Sequence, residues 1–534
     1  MVASQILETW MPQLNRRQLA LGYLALLVTA LLPLAVIRHL PLHDYPNHLA
    51  RMHILVEAGS NPVLNRYYEI DWQILPNLLM DISVPLLAHL VPVEDATRLF
   101  VALGMILMTS GTVALFAALH GRLSWWPLLA FLFLYSRVML FGHLNYLAGV
   151  GLFLWAFAAW IFWRDRTAIF RVPVFALVAT VLFFSHLYAL GLYGICVAGF
   201  ELAHFRERYA GLRDFLREGA VVAAQFVIPI YLLVAESPTA GSATVFLYDP
   251  LDQFLRNKVR AVYQLTANYY STFDRATFVL LAGGFAVAVA LRWVAIDRRM
   301  WLPLVLLVIA FLIMPNQLFA SNLADFRLPV ALVLVLIASC APVRLPFARL
   351  VMAALAALLV LRMGLITERW SDFDAVYDRY LEAIQQVPEG SRLITAVAEP
   401  SPELPQLEPT LMYVNALAVL ERSAFEPGVF ADRGKQPIAV TEACREAYEE
   451  LWRVWSSPAA ALTDLAPSLK RTGGNGSDDM LFAYDYLLLL YPEGDANPAP
   501  EVLEQIETTP LFHLYRVVEH ASRRTEQKSA FDSC

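Results

Sequence analysis

The stretch "LPLHDYPNHLARMHI" (41–55) follows an apolar run directly and carries an aspartate, three histidines and an arginine. Asp44, His48 and Arg51 fall at i, i+4 and i+7, so on a helix beginning near Pro46 the latter two share a face. A carboxylate beside histidines (His43 and His48 here) can draw the proton off an alcohol as its oxygen attacks. An arginine at a membrane surface suits a phosphate, which it holds through two parallel N–H donors. A base together with a phosphate clamp describes group transfer from a lipid-phosphate donor. The plainer role for Asp44 is as the cap of the helix that follows, a position aspartate favours.

Similar groups recur at turns far away in sequence. "FGHLNYLAG" presents His143 and Asn145, "FFSHLYALG" presents Ser185 and His186, and "SNLADFRLP" presents Asp325 and Arg327. Ionisable groups at membrane depth are costly and usually face a cavity or each other. Singly, each could serve as an interfacial cap, a bridge between helices or a snorkelling cation. His43, Asp44, His48 and His186 are acceptable metal-ligand types but have no ligand spacing, so a divalent metal stays open. The chain contains no GxGxxG, GxxxxGK[ST], HExxH or paired CxxC motif, which leaves ATP-driven and nicotinamide chemistry without support; no nucleic-acid partner is expected.

The elements that must hold these residues are apolar. The 534 residues are 58% hydrophobic and 16% charged, against about a quarter charged in an ordinary soluble domain. Runs long enough to cross a bilayer, roughly 20 residues each, recur through the first two-thirds. They predict about eleven transmembrane helices, at 19–38, 97–119, 124–141, 143–163, 169–185, 187–203, 217–236, 276–295, 301–320, 328–343 and 348–366. Arginines cluster in alternate short loops (Arg16, Arg17, Arg122, Arg164, Arg298, Arg299, Arg344), and basic loops stay on the cytoplasmic side. The N-terminus is therefore expected inside. The first outer loop (39–96), the second (237–275) and the tail fall outside, which in a bacterial inner membrane is the periplasm.

A change in charge marks the domain boundary. From Trp370 onward there are 27 acidic and 13 basic residues, net −14; the preceding 369 residues carry 20 and 27, net +7. Residues 1–369 are expected to form the membrane domain and 370–534 a soluble periplasmic α/β domain. In that tail "DFDAVYDRYLEAIQQVP" reads as a helix, and "SRLITAVA", "YDYLLLLYP" and "LFHLYRVV" as strands. Segments 399–409, 472–479 and 492–500 read as loops, and the run from Ser522 as disordered. Of the four cysteines, Cys196 and Cys340 sit in apolar spans, so only Cys444 and Cys534 could pair in an oxidising compartment.

This arrangement resembles the GT-C superfamily of integral membrane glycosyltransferases, which have a long first outer loop with an acidic residue and often a periplasmic C-terminal domain. "HDYPNHLAR", "LPNLLMDISVPLLAHLVP", "GHLNYLAG", "FFSHLYA" and "DFRLPVAL" also resemble a group of bacterial GT-C-like proteins. The resemblance implies that Asp44 is the general base and that Arg327, with Arg51, holds the donor phosphate. It also places His48, His143, Asn145 and His186 along the pocket, beside His43 and Asp325. The chain departs from the family pattern in lacking a paired acid beside Asp44, where His43 stands instead. Asp81 is a second acid, read on the wet face of an amphipathic interfacial helix. The implied donor is a polyprenyl-phosphate sugar, the acceptor a lipid, glycan or protein. The competing readings are a transporter or flippase of a lipid-linked glycan, which would place charges near mid-membrane and show internal repeats, and a non-catalytic envelope-assembly protein.

Overall fold

The structure is a computed structural model that describes residues 15–205, 211–241, 246–248, 250–319, 321–397, 411–445, 484–492, 494–500, 502–518 and Cys534. The expected loops at 399–409 and 472–479, and the run from Ser522 apart from Cys534, lie outside the described residues. The chain forms two compact units. One holds Met1–Val36, Ile74–Met80 and Arg98–Arg369, and the other Ile37–Gln73, Asp81–Thr97 and Trp370–Cys534.

The first unit is helical, as its unbroken apolar runs require. Among the described residues six helices are long and apolar enough to cross a bilayer: Arg16–Val36, Val93–His120, Leu144–Trp163, Ala168–Ser185, Ser271–Ala290 and Ala348–Ile384. Leu212–Ala224 and Val227–Glu236, bent by 58°, make a seventh if taken as one span. Three other expected spans are shorter helices, Leu187–Ala203, Trp301–Ile313 and Ala324–Ser339. The expected span at 124–141 is not a single α-helix but a 3-10 stretch, Trp126–Phe133, followed by the short helix Arg137–Leu140. Ser136 is extended there (ψ 167°) and interrupts the run. The Trp126 indole N–H donates to the Ile337 carbonyl (3.1 Å) and the Tyr135 hydroxyl to that of Ala30 (2.7 Å), so the side chains tether what the backbone does not continue.

Two helices of this unit meet backbone to backbone. A Cβ on Gly151 would stand 2.5 Å from the Leu107 Cβ, and one on Gly111 would stand 2.9 Å from the Gly151 carbonyl oxygen. Small residues at such a crossing allow the close approach that drives helix association in lipid. Buried charges are paired: Arg164 with Glu201 at 3.0 Å, where the Trp160 indole also donates, and Arg362 with Asp274 at 3.6 Å.

The second unit is built on a four-stranded sheet in the order Leu393–Val397, Tyr486–Leu490, Phe512–Val517, Leu503–Thr508. The first pair is parallel (Leu393↔Tyr486) and the others antiparallel (Phe512↔Leu490, His513↔Thr508). All five residues of the interior strand "YLLLL" are buried, as expected of a strand covered on both faces. The expected tail helix is the C-terminal part of the 37-residue helix Ala348–Ile384.

First-loop residues belong to this unit's core. Tyr68–Ile70 pairs antiparallel with Ile438–Val440 (Tyr68↔Val440). Ala50, Ile54, Leu64 and Tyr67 pack into one cluster with Ile394, Val419, Phe425 and Leu487. Cys444 and Cys534 form the disulfide that the sequence allowed, across 90 residues.

Candidate functional site

In the second unit the candidates sit on one helix. Asp44 is the N-cap residue of Tyr45–Glu57, with Pro46 in the first turn, where its missing N–H costs nothing. The Asp44 side chain makes no capping hydrogen bond to that helix. The carboxylate is four-fifths buried, with the His43 Nε2 3.9 Å away. The His43 ring packs on Tyr413 at 5.1 Å, Tyr413 on Phe430 at 5.4 Å, and Phe430 on His48 at 5.8 Å, which makes an aromatic wall around the start of the helix. Burial, then the Asp44 and Glu426 charges, push the Tyr413 phenol well above its usual range, so it keeps its proton.

Asn47 fixes the helix to the segment 428–430. Its amide donates to the Gly428 carbonyl (3.0 Å) and its oxygen accepts from the Phe430 N–H (2.9 Å). Arg51 is engaged by Asp81, Nε to Oδ1 at 2.7 Å. Asp81 is therefore buried and ion-paired, not on a wet helix face; the exposed face of its helix is apolar, at Ile82 and Leu86.

In the first unit the turn residues gather around Arg327. The Tyr146 hydroxyl donates to the Arg327 carbonyl (2.8 Å), and the Tyr146 ring lies 5.2 Å from that of His186. His186 Nδ1 accepts from the Tyr188 N–H (3.1 Å). The Arg327 guanidinium stands 5.7 Å over the Tyr188 ring and donates to the Asn322 carbonyl (2.7 Å). Asp325, two residues earlier, pairs with Lys258 at 3.0 Å, and the same ammonium donates to the Met314 carbonyl (2.6 Å).

Asn145 and His143 serve neighbouring turns. The Asn145 amide donates to the Asn77 carbonyl and its oxygen accepts from the Met80 N–H (2.9 Å), which stitches Ile74–Met80 into this unit. His143 is the N-cap residue of Leu144–Trp163 and stacks on Phe141 (6.1 Å, 16°).

A cavity of about 390 Å³ opens between the helices Leu187–Ala203, Val227–Tyr231 and Trp301–Ile313. Its wall is apolar and includes Tyr188, Gly191, Ile195, Phe226, Met314 and Leu328. Tyr188 thus touches both the cavity and the Arg327 cation. Among the described residues no three His, Cys, Asp or Glu side chains converge as a metal site.

Sequence reasoning missed Tyr413, Tyr188 and Lys258. Tyr413 leaves no local signal. Tyr188 is inside the quoted "FFSHLYALG", two residues past His186. Lys258 was detectable as the only lysine before residue 370, on an amphipathic helix, Leu251–Tyr263, whose exposed large apolar residues are Leu251, Leu255 and Val259.

No protein-family model and no curated relative matches the sequence. The chain is similar in structure to ArnT from Cupriavidus metallidurans bound to undecaprenyl phosphate, with a TM-score of 0.51 and 13% identity over 96% of this chain and 100% of that one. It is equally similar to the same protein in the apo state, over 93% and 98% of the two chains. At this identity the likeness is one of fold: the chain has the polytopic architecture that its sequence resembles.

Proposed function

We propose that this chain is a GT-C-type glycosyltransferase that moves a sugar from a polyprenyl-phosphate-linked donor to a lipid, glycan or protein acceptor at the periplasmic face of a bacterial inner membrane. One observation carries the reading. The apolar cavity and the Arg327 cation share Tyr188, a pairing that suits a ligand with a long hydrocarbon chain and an anionic head. The fold likeness to a protein solved with undecaprenyl phosphate supports the same ligand class.

In this mechanism the Asp44 carboxylate removes the proton of an acceptor hydroxyl while its oxygen attacks the anomeric carbon. The bond from that carbon to the phosphate oxygen breaks, and the polyprenyl phosphate leaves with the electron pair. Arg327 offsets the charge that grows on the phosphate, an effect that is strongest where water is excluded. His186 and Tyr146 hold the Arg327 turn. Asp325 keeps Lys258 in place and is a positioning group. His43 and His48 flank the base. The Cys444–Cys534 disulfide supports an oxidising location for the second unit, in keeping with a periplasmic tail.

The test is mass spectrometry of lipid co-purified with the wild-type chain and with Asp44→Asn. A polyprenyl phosphate is expected in both, with sugar transfer to added acceptors in the wild type alone. Transfer unaffected by Asp44→Asn would remove the base. Purification with ordinary phospholipid alone, and no binding of added undecaprenyl phosphate, would remove the ligand class.

A further inference from the structure

Glu426 is a carboxylate sealed in the second unit, 3% exposed. It stands at the head of the turn "EPGVF" (426–430), the segment that Asn47 grips from the helix behind Asp44. The turn is folded tightly on the carboxyl. A Cβ on Gly428 would lie 2.9 Å from the Glu426 Oε2, so a side chain there would have to displace the carboxyl. The Val429 N–H donates to the Glu426 carbonyl (3.3 Å). Tyr68, from the first loop, donates its hydroxyl to that carbonyl (3.1 Å) and accepts from the Glu426 N–H (3.0 Å).

We propose that Glu426 is a proton-linked positioning residue: neutral, it holds the 426–430 turn closed, and the turn through Asn47 holds the helix that begins at Asp44. That the helix serves sugar transfer rests on the function proposed above; the linkage between Glu426, the turn and the helix does not.

The groups that face the carboxyl are nearly all uncharged. Thr395 Oγ1 donates to Oε1 (3.3 Å), Asn415 donates to Thr395 (3.0 Å), and Tyr380 donates to Asn415 (2.7 Å). The phenols of Tyr68, Tyr380, Tyr413 and Tyr484 feel its charge. The nearest ions act on those phenols from further out: Asp44 on Tyr413, Glu421 on Tyr380 and Arg392 on Tyr484. No cation pairs with Glu426 among the described residues. Burial accordingly raises its titration to about 7, against the pull of the Thr395, Gly428, Asn415 and Val429 donors.

Linkage fixes the sign. The closed turn binds the Glu426 proton more tightly than an open turn, where the carboxyl meets water and titrates near its ordinary value. Closure is therefore strongest below the ordinary carboxyl range, is lost as pH rises through 7, and changes no further well above it. Each pH unit in that window is worth roughly a tenfold change in the opening equilibrium.

Hydrogen–deuterium exchange of the full-length protein in lipid nanodiscs between pH 5 and pH 8, corrected for intrinsic exchange, tests this. Protection in peptides covering 424–431 and 44–52 should fall by roughly fortyfold from pH 5 to pH 7, drop by a further factor of about two and then level off. Glu426→Gln, close in shape to the neutral acid, should keep the pH 5 protection at every pH. In Asn47→Ala the 424–431 response should persist while the 44–52 response disappears. A wild-type profile flat with pH, or one that Glu426→Gln leaves unchanged, overturns the proposal, as does a 44–52 response that survives Asn47→Ala. None of these readings needs substrate, so they stand apart from the fate of the glycosyltransferase assignment.

Discussion

Arg51 and Asp81 form a two-point ion pair inside the second unit. Nε lies 2.7 Å from one carboxylate oxygen and a terminal nitrogen 3.3 Å from the other, and neither side chain is more than 5% exposed. Thirty residues of chain separate them, so the pair ties the first-loop helix Tyr45–Glu57 to the helix Leu79–Ala88. Arg51 thus already has an anion beside it, and in the mechanism above the phosphate falls to Arg327. Removing one member of a buried pair leaves an uncompensated charge, which costs about 3–5 kcal/mol, whereas replacing both with apolar groups of similar size is often neutral. Asp81→Ala should therefore lower the denaturation midpoint sharply, and Arg51→Met with Asp81→Leu should recover most of the loss. Chemical denaturation of the detergent-solubilised protein measures both; equal stability in Asp81→Ala would show that the pair contributes nothing.

Arg327 and Tyr188 make the second prediction. A planar guanidinium spreads its charge over a ring face and still donates two parallel hydrogen bonds, which a lysine ammonium cannot do. Arg327→Lys keeps the charge but loses the stacking and the fork. Undecaprenyl phosphate should bind this variant about tenfold more weakly, a difference of about 1.4 kcal/mol, with the fold intact by circular dichroism. Titration of the purified protein with the labelled lipid reads the change directly. Full affinity in Arg327→Lys would mean that only the charge matters, and full affinity in Arg327→Ala that the phosphate lies elsewhere.

What the sequence conveyed was local. Apolar runs gave most helices to within a few residues, because a bilayer requires length and composition and both can be counted. The tail strands were readable for a similar reason: "YDYLLLLYP" has turn residues at each end and an apolar interior, and Tyr486–Leu490 is a fully buried strand. Pairings across long separations were not readable. Tyr68–Ile70 finds Ile438–Val440, and no feature of "YYEI" names that partner. The span at 124–141 failed because apolarity measures burial without reporting that Ser136 breaks the backbone. Among the candidate residues, Asp44, His186 and Arg327 stand out by type and position in the sequence, but their neighbours in each unit do not. Lys258 meets Asp325 from 67 residues away, and Asp81, which looks like a surface acid, is buried against Arg51.

The disulfide makes a prediction about conditions. Cys444–Cys534 closes 90 residues of chain, and in the loop-entropy account a closure of that length stabilises by about 4–5 kcal/mol. Cys196 and Cys340 are buried and free. A native protein treated with a thiol reagent should therefore stay unlabelled, and after denaturation it should show two thiols, rising to four on reduction. Cys534→Ser or added reductant should lower the thermal midpoint of the second unit. A chain that yields four thiols without reduction when purified from membranes would argue against an oxidising location for the tail.

Gly191 offers a way to fill the cavity without touching any charged group. It lines the hollow, it lies inside the helix Leu187–Ala203, and a Cβ there would meet nothing within 4 Å. Leucine also prefers a helix interior to glycine by several tenths of a kcal/mol, so Gly191→Leu should fold at least as well as the wild type. Its side chain would project into the apolar space beside Tyr188 and compete with any hydrocarbon chain held there. Co-purified polyprenyl lipid should fall several-fold in Gly191→Leu and further in Gly191→Trp, while thermal stability holds or rises. The opposite pattern, with lipid retained at wild-type levels in both variants, would mean that the hydrocarbon chain runs elsewhere and that this hollow is only a packing defect between helices. Because Arg327 and Asp44 are untouched in these variants, a loss of lipid here could be assigned to the chain-binding space alone.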